Sequence, residues 1–339
     1  MDTRLLQRLI EQQPPAQRAQ LIETHISWIV LLGDVAYKLK KAVHYDFIDA
    51  RRFATRRYFC ERELALNRRL APELYLDMVP VYQQGEDLRL EEGPGELVEY
   101  AVKLKRLDPD RQMDRMLQRG EVQAEHLQAL AHQLGDFHRQ ATVVDRPHMV
   151  EELSDTYAGL AEVKPLLSPH WSASFAQQID DLLRRGQQFL QAHAPALAQR
   201  NRAGYLRDGH GDLHAGNIFL YDAPIVFDCI EFNDAFRQID VLNEIAFLCL
   251  SLDVYRDHPT YQPTPLTDIF LRHYQARFQC FGPDDAALYR FYLLHRASIK
   301  LKVNALKLDK ADQPAEQQQR LQRCARYFAL MRDYAQGLS

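Results

Sequence analysis

The feature that most constrains the fold of this 339-residue chain is a polar motif at residues 208–220, followed at once by a short apolar segment. Asp212 and Asn217 lie five positions apart in the motif, and Asp228 ends the apolar segment at residues 225–227. A turn that contains proline separates the motif from the apolar segment, which is typical of two paired strands. We therefore expect a β-hairpin that places Asn217 and Asp228 side by side.

These three side chains suit the transfer of a phosphoryl group. Their spacing is that of the kinase catalytic loop H-x-D-L-x-x-x-N, in which the aspartate orients the acceptor hydroxyl and the asparagine binds magnesium. A further group must bind metal that bridges the phosphates, and Asp228 qualifies. Because this reaction requires positioning and charge neutralisation more than covalent chemistry, such a set is sufficient. The sequence predicts catalytic Asp212, Asn217 and Asp228, with Asn217 and Asp228 as ligands of Mg²⁺ and ATP as the phosphoryl donor.

A family resemblance rests on the motif HGDLHAGN at residues 210–217, on Asp228 and on the segment RQID at residues 237–240. With these residues the chain resembles the aminoglycoside phosphotransferase-like branch of the protein-kinase-like fold over nearly its whole length. It is most similar there to uncharacterised bacterial proteins in which such a domain is often fused to a P-loop ATPase domain. No G-x-x-x-x-G-K-[ST] motif is present, so this chain would be the kinase-like part alone. The resemblance also implies that Asp240 braces the catalytic loop from a helix.

The resemblance and the pattern of elements predict an α+β, bilobal protein-kinase-like fold. The β-rich N-lobe would cover residues 1–107 and hold a leading helix, a nucleotide-binding sheet and one paired helix. The mainly helical C-lobe would cover residues 108–339, with a helical insertion and the catalytic loop at residues 208–234. In the N-lobe the patterns predict a helix at residues 1–24, strands at 27–32 and 35–43, a helix at 51–70, and strands at 79–82, 88–90 and 99–107.

The resemblance implies a lysine and a glutamate that together hold the nucleotide phosphates. Lys38 would contact the α- and β-phosphates, and Glu63 would pair with Lys38. Lys40 stays open as an alternative, because side-chain alternation along a strand puts Lys38 and Lys40 on one face. Glu61 competes in the same way with Glu63.

Two other parts of the N-lobe are expected to contact the nucleotide. Gly33, in the turn of the first hairpin, would cover the phosphates less fully than a glycine-rich loop, since no G-x-G-x-x-G motif is present. The hinge that binds adenine is expected at Lys105 and Leu107. Whether the nucleotide is ATP or GTP is not distinguished by these residues.

Departures from protein kinases favour a small hydroxylated molecule as the acceptor. Gly211 stands where protein kinases have an arginine, and Cys229 follows the metal-binding aspartate in place of phenylalanine and glycine. A long helical stretch also precedes the catalytic loop, and the small-molecule kinases that this chain resembles have a helical insertion at the same point. The alternatives are a nucleotide-binding regulatory module without turnover, a protein kinase, and an enzyme that transfers AMP. His210, Asp212 and His214 could also be read as metal-hydrolase ligands.

The charge of the acceptor is left open by two conflicting patterns. Arg296 and Lys300 lie four positions apart on a predicted helix, where they would either bind the acceptor or form structural ion pairs with Asp240 or Glu244. An acceptor-binding basic helix would favour an anionic acceptor. Acidic residues of the insertion would instead favour a cationic acceptor; they are Glu151, Glu152, Asp155 and Glu162.

Composition excludes several other partners. The net charge is −4, so no basic field predicts nucleic acid or an anionic membrane as a partner. Apolar runs are too short to span a bilayer, and the N-terminus lacks the apolar core of a signal peptide. The five cysteines form no CxxC pair, which favours reduced thiols. We expect a cytoplasmic protein whose partner is a small hydroxylated molecule.

Overall fold

A computed structural model describes residues 2–14, 19–147, 149–262, 264–282, 285–308 and 313–338. The chain forms two compact units. The first unit comprises Met1–Arg115 and Gly216–Arg237, and the second comprises Met116–Ala215 and Gln238–Ser339. The first unit is built on an antiparallel sheet and the second mainly on helices, so the fold is α+β.

The elements follow in chain order. The strands are β1 (Gln20–Glu23), β2 (Ser27–Leu32), β3 (Val35–Lys40), β4 (His44–Tyr45), β5 (Ile48–Asp49), β6 (Tyr75–Gln84), β7 (Asp87–Leu90), β8 (Glu96–Lys105), β9 (Leu206–Asp208), β10 (Ile218–Phe219), β11 (Ile225–Val226) and β12 (Gln238–Asp240). The helices are α1 (Thr3–Glu11), α2 (Phe53–Asn67), α3 (Met113–Arg119), α4 (Ala124–Gln140), α5 (Met149–Ala158), α6 (Val163–Leu167), α7 (Phe175–Arg202), α8 (Asp234–Arg237), α9 (Val241–Asp253), α10 (Leu266–Arg277), α11 (Asp285–Leu308) and α12 (Pro314–Gln336).

The main sheet of the first unit has the strand order β1-β2-β3-β8-β6-β7, with every pair antiparallel. Gly33 lies in the turn that joins β2 to β3 and has a φ of +57°, a conformation that glycine adopts without steric cost. The predicted hairpin is therefore confirmed, although β3 ends at Lys40 and not at residue 43.

Alternation along β3 decides what each face of the sheet covers. Tyr37 and Leu39 join a buried cluster that includes Leu6 and Leu9 of α1. Ala36 lies in the cluster on the opposite face, which includes Cys60 of α2. Since side chains two positions apart share a face, Lys38 and Lys40 point to the α2 side of the sheet.

The predicted leading helix at residues 1–24 is wrong at residues 20–23, and residues 15–18 of that prediction lie outside the described residues. Helix α1 ends at Glu11, and residues 20–23 form β1, the edge strand paired with β2. Pro14 explains the end of the helix, because proline lacks the N–H donor and its ring clashes with the preceding turn. The helix predicted at residues 51–70 is confirmed as Phe53–Asn67.

The second unit buries an apolar helix near the polar motif. Residues 241–250 of α9 are all buried, and Glu244 is among them. Strand β12 precedes α9 and pairs with β9, so that Gln238 lies opposite Asp208. Strand β9 leads directly into the motif, so α9 and the motif are anchored by one pair of strands. Helices α5 to α7 occupy the predicted insertion.

Two observations bear on the environment of the protein. All five cysteines are buried free thiols. Within the described ranges, no helix is both long and apolar enough to cross a lipid bilayer.

Candidate active site

Lys38 is the centre of a charged group in the first unit. Its Nζ lies 2.8 Å from Oε1 of the buried Glu63 and also contacts the carboxylate of Asp228. Burial alone would lower the pKa of Lys38, but the charges of Asp228 and Glu63 outweigh burial and hold the pKa well above its usual value. Lys38 therefore stays a cation, fixed where β3, α2 and the end of β11 meet.

Lys40 binds the other oxygen of the same glutamate. Its Nζ lies 2.5 Å from Oε2 of Glu63 and contacts Glu231. The Lys40 side chain is 2% exposed, whereas Asp228, the partner of Lys38, has a side chain that is 41% exposed. The charged group thus opens to solvent at Lys38 and Asp228 and is closed at Lys40 and Glu231.

The two lysines also act on Glu63. Burial alone would raise the pKa of Glu63, but the neighbouring charges of Lys38 and Lys40 lower it to about 2. The competing Glu61 lies on the exposed side of α2, where it pairs with Arg57 at 2.9 Å. The periodicity of α2 therefore separates the two glutamates, and Glu63 is the one that meets the lysines.

Asp228 has a backbone conformation that few residues tolerate. Its φ is +64°, in the left-handed region, which costs a residue with a side chain about 1–2 kcal/mol. Two hydrogen bonds hold this turn: the Asp228 N–H donates to the Tyr75 hydroxyl at 3.2 Å, and the Cys229 N–H donates to Oδ1 of Asn67 at 2.8 Å. Neither Tyr75 nor Asn67 was predicted as part of the site.

Asn217 is paired with the residue before Asp228. Strands β10 and β11 form the predicted hairpin, and the Phe227 N–H donates to the Asn217 carbonyl at 3.1 Å. A carboxylate and an amide oxygen are donors that Mg²⁺ prefers, and Mg²⁺ commonly completes its shell with phosphates and water. No group of three or more His, Cys, Asp or Glu side chains suited to a metal is found in the described part of the chain. Asp228 and Asn217 supply oxygen donors of the kind that Mg²⁺ binds.

Gly33, Lys105 and Leu107 stay predictions as nucleotide contacts. The Arg106 N–H donates to the Asp34 carbonyl at 2.7 Å, so the segment after β8 lies beside the turn that contains Gly33. The Lys105 side chain is exposed, with Nζ 3.7 Å from Glu73, and Leu107 packs against the cluster on the α2 side of the sheet.

Asp212 lies in the second unit, surrounded by positive charge. Oδ2 of Asp212 is 3.3 Å from Nε2 of His214, and the Asp212 N–H donates to Nδ1 of His210 at 3.3 Å. Burial would raise the pKa of Asp212, but the interactions with His214, Lys300 and His210 outweigh burial and hold the pKa well below its usual range. The carboxylate is ionised at neutral pH, and its side chain is 38% exposed.

Glu244 braces the backbone that leads to Asp212. Its Oε1 accepts hydrogen bonds from the N–H groups of His210 and Gly211, and Oε2 lies 3.2 Å from Nε2 of His138. A Cβ atom at Gly209 would lie 1.8 Å from Oε2, so only glycine leaves room for this carboxylate. Sequence reasoning missed this role. The available signal was a single acid within the apolar run of α9.

Asp240 does not brace the catalytic loop with its side chain as the resemblance implied. Its carboxylate accepts two hydrogen bonds from Arg200, of 2.7 and 2.9 Å, and one from the Leu242 N–H at 2.8 Å. Asp240 therefore caps α9 and ties it to α7. Its position directly before the helix leaves Glu244, one turn later, facing the loop.

Arg296, Asp240 and Glu244 all lie in the described part of the chain, and Arg296 makes no salt bridge with either acid. Its Nε donates to Oδ1 of Asn243 at 2.7 Å, and its guanidinium lies 4.7 Å from the centre of the Phe247 ring. The Nζ of Lys300 lies 4.7 Å from the centre of the same ring. Arg296 is therefore held by Asn243 and Phe247 and not by a direct salt bridge with Asp240 or Glu244.

Comparison with known sequences gives relatives of unknown function. No protein-family model matches the chain. An uncharacterised protein of Mycobacterium tuberculosis (strain ATCC 25618 / H37Rv) is 31% identical over 290 residues, which are 84% of this chain and 54% of the relative. An uncharacterised protein of Mycobacterium bovis shows the same identity and coverage. The chain spans about half the length of the curated relatives it matches.

Solved structures of small-molecule phosphotransferases share the fold. The choline kinase from Cryptosporidium parvum Iowa II aligns with a TM-score of 0.54 at 13% identity, over 97% of this chain and 93% of that chain. The GDP complex of wild-type aminoglycoside 2'-phosphotransferase-IIIa aligns with a TM-score of 0.50 at 13% identity, over 96% and 97%. A glucosamine kinase in complex with glucosamine, ADP and inorganic phosphate aligns with a TM-score of 0.50 at 16% identity, over 93% and 79%. The chain has the predicted protein-kinase-like α+β fold.

Proposed function

We propose that this chain is an ATP- and Mg²⁺-dependent phosphotransferase whose acceptor is a hydroxyl group of a small molecule. The observation that carries this proposal is the open end of the charged group in the first unit. There Lys38 is held by Glu63 and contacts Asp228. Asn217 lies directly before β10, the strand that pairs with β11, and Asp228 follows β11. This is the set of groups that a kinase uses on a nucleotide and its metal.

In this proposal the first unit binds the nucleotide. Lys38 contacts the α- and β-phosphates, and Glu63 keeps Lys38 in place. Asp228 and Asn217 would hold Mg²⁺, which when bound neutralises charge on the phosphates. Gly33 covers the phosphates, and Lys105 and Leu107 border the adenine.

Asp212 is assigned to the acceptor hydroxyl. A carboxylate with a lowered pKa is a weak base, so its main effect is to orient the hydroxyl by accepting its hydrogen bond. As the acceptor oxygen bonds to the γ-phosphorus, the bond from that phosphorus to the β-phosphate oxygen breaks and ADP leaves. The hydroxyl proton passes to Asp212 and then to water. His214 holds the carboxylate in position, and His210 accepts a hydrogen bond from the Asp212 N–H.

The fold neighbours support a small acceptor. Choline, aminoglycoside and glucosamine kinases are among the proteins whose fold this chain shares. The resemblance to kinase-like domains that are often fused to a P-loop ATPase domain is part of this proposal and accords with the greater length of the mycobacterial relatives. A reducing cytoplasm, our proposed location, suits five buried free thiols.

A thermal-shift assay followed by an acceptor screen tests the proposal. ATP with Mg²⁺ should raise the Tm of the parent chain, because a ligand that binds only the folded state stabilises it. Asp212→Asn should keep this shift and lose acceptor-stimulated ADP release by roughly 10²- to 10⁴-fold. Lys38→Gln should weaken the shift.

The other outcomes identify the alternatives. No shift at millimolar ATP or GTP would exclude nucleotide binding and with it the proposal. A shift without acceptor-stimulated ADP release, in a screen of hydroxylated metabolites and antibiotics, would favour a regulatory module. Intact-mass analysis of a modified product separates transfer of phosphate from transfer of AMP.

A further inference from the structure

Helix α11 carries a row of basic side chains on one face. Arg296, Lys300 and Lys307 occupy this row together with Asn304. Their spacings of four, four and three residues follow the period of an α-helix, so their side chains stack along one side. The row belongs to the second unit, as Asp212 does.

The row begins at Asp212. Lys300 interacts electrostatically with the Asp212 carboxylate. The rings of His214 and Phe247 lie 5.4 Å apart, and the charged groups of Arg296 and Lys300 both lie over Phe247. Phe247 thus places the first two cations of the row next to the loop that holds the candidate acceptor carboxylate.

Helix α12 extends the row with further cations. Nη1 of Arg320 lies 3.5 Å from Oδ1 of Asn304, and its Nε is buried without a hydrogen-bond partner in the part of the chain that is described. Burial and the charges of Arg320 and Arg323 together lower the pKa of Lys307. Neighbouring like charges repel one another, and a bound anion would offset this repulsion.

Among the described residues, few acids offset this positive charge. Glu316 lies 3.4 Å from Arg320 and is about half exposed, and Asp212 lies at the other end of the row. Lys307 forms no salt bridge with any residue in the described ranges, which omit residues 309–312. The row therefore carries more positive charge than the described acids beside it neutralise.

Two of the four acids of the insertion form ion pairs within the chain. Glu152 pairs with Arg146, and Glu162 pairs with Lys302 at 2.6 Å. Lys302 is on α11 but off the basic row. Of the two conflicting sequence patterns, the basic residues of α11 are the ones that interact with the candidate acceptor carboxylate of Asp212.

We propose that the acceptor is a hydroxylated molecule that carries a phosphate or carboxylate group, a proposal that rests on the proposed function. Its hydroxyl group binds at Asp212, and its anionic group binds the far end of the row at Lys307 and Arg320. Lys300 lies at the Asp212 end of the row. A neutral acceptor would not offset the charges of Lys307 and Arg320, and a cationic acceptor would be repelled, so the far end of the row selects for negative charge.

Thermal shift at constant ionic strength tests this proposal with inorganic phosphate, acetate and choline chloride as probes. Phosphate, acetate or both should raise the Tm of the parent chain, by roughly 2 °C at ten times the dissociation constant, and choline should not. Phosphate and acetate distinguish the two anionic groups. The double variant Lys307→Gln/Arg320→Gln should lose the shift. The matched control Lys302→Gln, on the same helix, should keep it.

Lys38→Gln identifies the site that an anion occupies. The shift should survive this change, because the row lies in the other unit from Lys38. A shift lost in Lys38→Gln but kept in the double variant would place the anion at the nucleotide site and overturn the proposal. An anion shift that is absent, or unchanged in the double variant, would also overturn it. So would stabilisation by choline alone.

Mg-ATP in the same assay separates the two proposals. If Mg-ATP stabilises the parent chain and neither anion does, the anionic acceptor is wrong and the phosphotransferase assignment stands. If Mg-ATP gives no shift, the phosphotransferase assignment fails independently of the result with phosphate and acetate.

Discussion

Lys40 and Glu63 form a buried ion pair in which Nζ lies 2.5 Å from Oε2, while Oε1 of the same carboxylate binds Lys38. Without Lys40, both Glu63 and Glu231 would stay buried with Lys38 as their remaining cation. Removing one partner of a buried ion pair costs about 3–5 kcal/mol. We expect Lys40→Met to lower the free energy of unfolding by about 3 kcal/mol, measured by urea denaturation.

Matched variants separate stability from catalysis at these lysines. Lys38→Gln should lower kcat/KM for ATP more than Lys40→Met does, because Lys38 is at the open end of the group. The double variant Lys40→Met/Glu231→Gln should be less destabilised than the sum of the single changes. Lys164→Met, which breaks an exposed pair with Asp180, is the control. If Lys40→Met is as stable as this control, the buried network is not important for folding.

The proposed metal ligands should differ in how they respond to added cation. Asp228→Asn removes a full charge but keeps a residue that accepts the left-handed backbone, so its loss of activity reports the charge. Asn217→Ala removes a dipole only. In a titration of ADP release with Mg²⁺ and Mn²⁺, Asn217→Ala should recover in part and Asp228→Asn should stay nearly inactive. Parental activity in Asp228→Asn would contradict the metal assignment.

Glu244→Gln should disturb the loop that presents Asp212. Glutamine has one acceptor oxygen in place of the two carboxylate oxygens of Glu244. Either the loop N–H groups or His138 therefore loses its partner. We expect kcat to fall and stability to fall by about 1–3 kcal/mol, the cost of a buried unsatisfied group. The exposed Glu125→Gln on α4 is the control. Nucleotide binding should not change, as a thermal shift with Mg-ATP would show.

His295 should make the protein sensitive to mild acid. Burial, with the charge of Arg296, lowers the pKa of His295 to about 3. The folded pKa lies below the unfolded value of about 6.5. The contribution of neutral His295 to the free energy of unfolding is therefore complete above pH 6.5 and is lost as the pH falls towards 3. Between pH 7.5 and pH 5 the loss should be about 2 kcal/mol. Urea denaturation across this range measures it.

His295→Phe is the matched variant for this pH dependence. The ring packs near Phe291, with ring centres 6.1 Å apart, so phenylalanine suits the site and has no titratable group. The slope of stability against pH should be smaller in the variant from pH 7.5 to pH 5. Equal slopes in the two proteins would show that another group causes the acid sensitivity.

Local patterns were enough to predict the parts of the site that depend on neighbouring residues. Alternation and turn residues predicted the hairpin that places Asn217 near Asp228 and the strand that carries Lys38. The same alternation could not separate Lys38 from Lys40, because both face α2. Their difference depends on Asp228 and Glu231, about 190 residues away in sequence.

Long-range packing accounts for the other differences. Glu244 contacts a loop 34 residues earlier, and no local pattern links a glutamate in an apolar helix to that loop. Residues 20–23 form an edge strand because β2 offers them backbone partners, which outweighs their local helical pattern.

The left-handed backbone at Asp228 means that two independent requirements limit which residues can replace it, one from backbone conformation and one from the proposed chemistry. Conformation admits glycine, asparagine and aspartate at a φ of +64°, whereas the proposed chemistry admits a carboxylate. A saturation library at codon 228, sorted for folded protein, should therefore keep these three residue types. The same library sorted for turnover should keep aspartate alone, and sequencing both pools would show which losses arise from the shape of the chain and which from its charge.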